Sequence, residues 1–226
     1  MTAVQRRPLI LGPDRIEGPF GDAYRALRLT VCRPNGERPP VTVLVASASA
    51  DEGRTTTVAN LGITSGRAGS RVILIDADFY NPSLHQLLEE GRAASDGAPA
   101  RGPSGSPPGL AEVIRDGASF GDLMVKAPFP GVWLLPAGAD LGRPSELVTS
   151  PLMGEMLRQV REHAELVLID SPACLEHVDA VELAAHVDAV LYVVRAGDQD
   201  RSAQRQVQAQ LRHSPARMLG AVLNRA

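Results

Sequence analysis

Five short, almost uninterrupted apolar runs dominate this chain: Val41–Ala46, Arg71–Asp76 (RVILID), Glu165–Asp170 (ELVLID), Asp188–Val194 (DAVLYVV) and Met218–Leu223. A strand that is apolar throughout is buried on both faces, the pattern of a parallel sheet covered by helices. Helical spacing predicts helices between these runs, near 55–68, 82–90, 150–163, 177–186 and 200–212. A further strand is expected over 131–136, with short helices over 110–116 and 120–126. This alternation predicts one α/β domain, a mostly parallel sheet with helices on both faces. At 226 residues and 44% hydrophobic, the chain is long enough for one such core.

Ahead of the first strand, Phe20, Tyr24, Leu27 and Val31 fall on one stripe and predict a helix over 19–31. Residues 1–18 read as an N-terminal arm, and 19–226 as the domain. Residues 91–108 (GRAASDGAPARGPSGSPP) lack apolar periodicity and read as a flexible insertion in that domain. A net charge of −3 does not suggest a basic nucleic-acid binder. Cys32 and Cys174 make no disulfide framework, and no apolar run is long enough to span a bilayer. The N-terminus lacks the features of a signal peptide. The expected location is therefore cytoplasmic. The five histidines show no metal-ligand spacing.

Chemistry concentrates where the first strand meets its helix, at Ala46-Ser-Ala-Ser-Ala-Asp-Glu-Gly-Arg-Thr-Thr-Thr57. Against the phosphate-loop pattern G-x-x-x-x-G-K-[ST], Ala48 stands at the first glycine, Gly53 at the second, Arg54 at the lysine and Thr55 at the hydroxyl position. A loop entering a helix N-terminus presents free N–H groups and positive dipole charge to an anion. Two of the four defining positions differ, so on the loop alone an ordinary strand–loop–helix turn fits equally well. Two further apolar strands end in acids, Asp76-Ala-Asp78 and Asp170-Ser-Pro172. Ligands of open parallel sheets bind beyond the carboxyl ends of the strands. Asp76, Asp78 and Asp170 are thus expected on the rim that carries the loop, where a Mg²⁺–phosphate pair would give gathered carboxylates a purpose. Taken singly, each aspartate could equally cap a helix or open a turn.

The order of this loop, VILIDADFYNPSLHQLL, LVLIDSP, VDAVLYVV and MLGAVLN resembles the bacterial tyrosine kinases of capsule and exopolysaccharide synthesis, within the ParA/MinD-like P-loop ATPases. GLAEVIRDG, VWLLPAG and PSELVTSPLMGEMLRQV resemble the same family, over about 20–225. Asp22-Ala-Tyr-Arg25-Ala-Leu-Arg28 resembles its E-x-x-R-x-x-R oligomerisation motif, with Asp22 for Glu. The resemblance implies ATP and Mg²⁺ as cofactors. It implies nucleotide contacts from Asp51, Glu52, Gly53, Arg54, Thr55 and Thr56, and from Asn224 at the adenine. Thr55, Asp76 and Asp170 would serve the metal, and Asp76, Asp78 and Arg54 the phosphoryl transfer. It implies a homo-oligomer joined through Asp22, Arg25 and Arg28, and a membrane-anchored chain-length adaptor holding the protein at the inner face of the plasma membrane without direct insertion. Nucleic acid is not an expected partner.

Two departures from the family bear on activity. The usual P-G-E-G-K-[ST] is here Ala50-Asp51-Glu52-Gly53-Arg54-Thr55. A planar guanidinium is not equivalent to a compact ammonium, although Lys126 is the single lysine among 23 basic residues and arginine is the chain's habitual cation. Furthermore, Tyr24, Tyr80 and Tyr192 are the only tyrosines, so self-phosphorylation on a tyrosine-rich tail is not expected. Retained nucleotide binding with slow or absent transfer is the leading expectation. The alternatives are a non-catalytic pseudokinase scaffold docking on the same adaptor, and a partition-type ATPase binding DNA or membrane. Arg201, Arg205 and Arg212 are expected on a solvated helix face.

Overall fold

A computed structural model describes residues 10–11, 17–32, 39–96, 107–197 and 201–224. Helix α1 (Pro19–Cys32) leads into strand β1 (Thr42–Ala46), helix α2 (Arg54–Arg67), strand β2 (Val72–Asp76) and helix α3 (Leu84–Asp96). Next come α4 (Leu110–Asp116), α5 (Phe120–Leu123), β3 (Val125–Lys126), β4 (Val132–Leu135), α6 (Pro144–Val148) and α7 (Pro151–Val160). The chain continues through β5 (Leu166–Asp170), α8 (Asp179–Ala184), β6 (Ala189–Arg195), α9 (Arg201–Arg212) and β7 (Arg217–Asn224).

The seven strands form one sheet in the order β3-β4-β2-β5-β1-β6-β7. Every pair is parallel except the two-residue β3, which runs antiparallel to β4. The expected α/β architecture is thus present. Strands β1, β2 and β5 are buried along their whole length because a core lies on each face. One core contains Val43, Val45, Leu61, Leu74 and Leu168 with Tyr24 and Val31 of α1. The other contains Leu44, Ile75 and Ile169 with Leu157, Leu183, Val207 and Leu211 of the remaining helices. Tyr24 and Val31 are buried as the α1 stripe requires, with Phe20 edge-on to Tyr24 at 5.2 Å.

Some expected boundaries shift for local reasons. Helix α3 runs through Asp96, into the segment expected to be irregular. The sequence Arg92-Ala93-Ala94 has strong helix propensity even without apolar periodicity. Residues 97–106 of the expected insertion lie outside the described residues, as does most of the expected arm. Of that arm, Ile10 and Leu11 are described and buried. The helix expected over 120–126 ends at Leu123, because β-branched Val125 pairs with Leu134 to open β3. The helix expected near 150–163 is α7, with Pro151 in its first turn and the Ser150 hydroxyl accepting from the Leu152 amide.

Candidate functional site

Strands β1, β2 and β5 are neighbours, so their carboxyl ends bring the loop and the acids to one rim. Asp76 and Asp170 are direct register partners across the β2–β5 ladder. Helix α2 begins at Arg54, directly after Gly53, which has φ of +98° and no side-chain cap. No side chain caps its first amides, and a helix start of this kind favours an anion. Asp51 also takes a left-handed conformation, at φ 59°, which Asp tolerates better than most residues. It is exposed, whereas Glu52 and Arg54 are buried and Thr55 and Thr56 are half-buried. The segment after β5 is stitched to the loop: the amides of Cys174 and Leu175 donate to the carbonyls of Ser47 and Ala48, each at 3.0 Å.

Arg54 turns inward onto protein acceptors. Its Nε donates to the Ser171 carbonyl at 2.8 Å, and one terminal nitrogen donates to the Ser47 hydroxyl at 2.5 Å and the Ser49 carbonyl at 2.8 Å. The other terminal nitrogen faces Asp78 Oδ2 at 3.6 Å. Arginine's fork of three nitrogens can satisfy all of these at once; a single ammonium nitrogen cannot.

The three acids divide their work. Asp76 Oδ2 accepts from the amides of Ser83 and Leu84, at 3.1 and 3.0 Å, and so caps α3. Its Oδ1 accepts from the Asp78 amide at 3.3 Å. Asp78 Oδ1 accepts from the amides of Tyr80 and Asn81, closing the turn after β2. Both therefore do the capping and turn work that those residue types also suggested. Asp170 differs: both of its oxygens are buried without a hydrogen-bond partner. Burial pushes its carboxyl up to about 7, against the pull of nearby Arg54 and Thr55. Burial, then the neighbouring Asp170, raises Asp76 well above the carboxylate range despite the Leu84 amide. Two buried carboxyls side by side cannot both ionise comfortably.

These residues fit a nucleotide's metal in one specific way. Among the described residues no group of three or more His, Cys, Asp or Glu forms a ready-made metal cage. A shared ion held by one carboxylate, a hydroxyl and phosphate oxygens needs no such cage, and Mg²⁺ prefers that arrangement. Asp170, with its unpartnered oxygens beside Thr55, is the carboxylate this arrangement leaves available.

No family model matches the chain. Curated relatives do. YwqD of Bacillus subtilis, a tyrosine-protein kinase, is 25% identical over 203 residues, 90% of this chain and 80% of its own length. EpsB of Ralstonia solanacearum, which carries the same kinase name, is 27% identical over 224 residues. The chain's relatives are bacterial tyrosine-protein kinases. The succinoglycan biosynthesis transport protein ExoP of Rhizobium meliloti is 28% identical over 218 residues. The chain spans only 28% of EpsB and 26% of ExoP. Among solved structures, the VpsO kinase domain superposes with a TM-score of 0.75 at 28% identity, over 91% of this chain and 93% of that one. The chimerical protein CapA2B2 reaches 0.81 at 21%, covering 94% and 88%. MinD of Pyrococcus horikoshii, solved with Mg-ADP, reaches 0.63 at 22%, covering 81% and 70%, and shares the fold.

The remaining expected residues fall in two places. Asn224, at the end of β7, donates from Nδ2 to the Glu52 carbonyl at 2.9 Å, so it contacts the loop itself. Asp22 and Arg25 pair with each other on the exposed side of α1, while Arg28 is half-buried. A cavity of about 190 Å³ beside them is lined by Arg25, Arg28, Thr64 and Arg67. Arg201, Arg205 and Arg212 lie on the solvated face of α9, as expected.

Sequence reasoning missed several neighbours of the loop. Ser47 and Ser171 offer Arg54 its acceptors. Tyr80, which its place after Asp76–Asp78 already pointed to as a site-lining residue, stacks on His177 with ring centroids 3.4 Å apart, and burial together with Asp179 pushes its hydroxyl up to about 12. Gln204 reaches Glu52 from α9. A signal for Gln204 existed: with Val207 and Leu211 it forms the buried stripe of α9, where an amide stands out.

Proposed function

We propose that this chain binds Mg²⁺ and ATP at the rim formed by the 47–55 loop, Asp76 and Asp170, and acts as a tyrosine-kinase-like regulator of capsular or exopolysaccharide synthesis. The observation that carries this reading is the buried, unpartnered carboxylate of Asp170 beside Thr55 at the uncapped start of α2. A fold has little reason to bury such a group unless a cation completes it. The names of the relatives support the kinase and polysaccharide assignment, and the ExoP relationship supports a membrane-anchored partner.

In this reading the amides of Gly53, Arg54, Thr55 and Thr56 receive the phosphates, with Asp51 and Glu52 shaping the loop and Asn224 bordering the nucleotide. Thr55 and Asp170 hold the metal, which supplies neutralisation of phosphate charge when bound. Asp76 and Asp78 orient that shell, and Asp76 takes the proton from the acceptor hydroxyl. Because Arg54 is engaged by protein acceptors, transfer is slow. Asp22, Arg25 and Arg28 join copies of the chain on the adaptor, and the described residues include no helix long and apolar enough to cross a membrane.

A second reading, a pseudokinase scaffold on the same adaptor, draws on one observation: the guanidinium that should meet phosphate is satisfied without it. Titration of a fluorescent ATP analogue with and without Mg²⁺ separates the two. The first reading expects saturable, Mg²⁺-dependent binding that is lost in Asp170→Asn. Absence of binding by the wild type would overturn it and leave the scaffold.

A further inference from the structure

Glu52 is a carboxylate, 1% exposed, inside a loop expected to receive phosphate. Its Oε2 accepts from the Ser49 amide at 3.2 Å, within the loop. Its Oε1 accepts from Gln204 Nε2 at 2.7 Å, across 152 residues of sequence. Both donors are neutral. A buried carboxylate held by neutral donors depends on each of them, because losing one leaves an oxygen desolvated and unpaired.

The orientation of Gln204 is fixed by chemistry. Glu52 can only accept, so the amide nitrogen must face it, and the amide oxygen is left for the Tyr192 hydroxyl at 2.5 Å. Tyr192 is 1% exposed in β6, and Val207 and Leu211 sink the same face of α9 into the core. Gln204 is therefore anchored at both ends before it touches the loop. Asn224 of β7 also holds this residue, donating to the Glu52 main-chain carbonyl. A side-chain Cβ at Gly53 would lie 1.9 Å from that amide nitrogen.

We infer that Gln204 is a positioning residue for the phosphate loop, acting through Glu52: it holds the Ala50–Gly53 turn against the β6–α9 edge so that the amides opening α2 converge on one anion. The functional half of this inference rests on the nucleotide-binding reading above; the positioning half does not.

The test uses a charge-conserving exchange. Gln204→Glu sets two carboxylates face to face at unchanged size. Gln204→Asn keeps the amide and shortens its reach. In the double variant Glu52→Gln with Gln204→Glu, residue 52 donates to residue 204, Tyr192 still donates to residue 204, and Ser49 still has an acceptor. Amide hydrogen exchange over 47–57 is measured in the nucleotide-free protein, with β2 and β5 as internal reference, alongside affinity for a fluorescent ATP analogue with Mg²⁺. Both single variants should speed loop exchange and weaken nucleotide binding by about tenfold, and the double variant should recover both to within about threefold. Unchanged loop exchange in the single variants overturns the inference. So does acceleration spread equally over β2 and β5, which would mark a general packing role. A wild type that binds no nucleotide defeats the proposed function, while loop exchange still decides the role of Gln204.

Discussion

The Arg54 guanidinium faces Asp78 at 3.6 Å, with both side chains almost sealed from water. The one cation of the 47–55 loop is thus shared with a carboxylate in the turn after β2, the second strand over from β1. In the proposed function, phosphate competes with Asp78, Ser171, Ser47 and Ser49 for it.

Arg54→Lys should separate the cation's two tasks. Lysine cannot span all of these acceptors, so the nucleotide-free protein should lose about 1–3 kcal/mol of stability. The freed ammonium should tighten Mg²⁺-nucleotide binding by about tenfold, since it no longer leaves several protein partners to meet phosphate. Thermal melts and analogue titration on the same samples check both. Unchanged or weaker binding would show that the pinned guanidinium is not what limits affinity.

Asp170→Asn should stabilise the nucleotide-free protein in alkali. The folded carboxyl titrates near about 7, against 3.8 in the unfolded chain. A raised folded pKa means that stability is fully present below the unfolded value and is lost as pH rises through the folded one. The variant should therefore gain on the order of a few kcal/mol over the wild type near pH 8, shrinking toward pH 4. Melts at the two pH values measure it. A variant no more stable than the wild type at the higher pH would mean that burial does not penalise the charged form of Asp170 as this reading requires.

Asp188 behaves in the opposite sense. Burial acts to raise its pKa, but the amides of Thr42 and Val41, at 2.9 and 2.8 Å, and Arg161 outweigh it and bring it below the usual range. Its stabilisation is present above the unfolded pKa and lost as pH falls through the folded one. Asp188→Asn should cost about 1–3 kcal/mol at neutral pH, and the difference should vanish in strong acid. Denaturant titrations of both proteins would reveal a pH-independent difference if the carboxylate charge were irrelevant.

Arg25→Ala with Arg28→Ala should leave the fold intact. The Arg25–Asp22 pair is exposed, and such pairs contribute about 0–1 kcal/mol. If α1 joins copies of the chain, sedimentation of the double variant should shift to smaller species than the wild type while the melting temperature holds. Unaltered sedimentation would remove α1 from the contact.

The sheet was legible because β1, β2 and β5 are apolar throughout, a pattern with few other uses. The acids were legible by position, Asp76 and Asp170 ending such strands and Asp78 following two residues after Asp76. Their division of labour was not. That Asp76 caps α3 while Asp170 goes unpartnered depends on where Ser83 and Leu84 return in space, which local sequence does not encode. Likewise Arg54 could be read as a lysine substitute, but its capture by Ser171, 117 residues away, is a tertiary fact. The extension of α3 to Asp96 was masked by glycine and small residues that carry no periodicity yet still propagate a helix.

The register pairing of Asp76 with Asp170 has a mechanical corollary. Hydrogen-bonded strands are held about 4.8 Å apart, so the ladder acts as a caliper whose jaws are two acids. The main chain sets the spacing of the two Cα atoms, and changing it would mean unzipping the middle of the sheet. The fold thus fixes the two acids as neighbours, and a cation arriving at this rim finds them already assembled by the pairing of the strands.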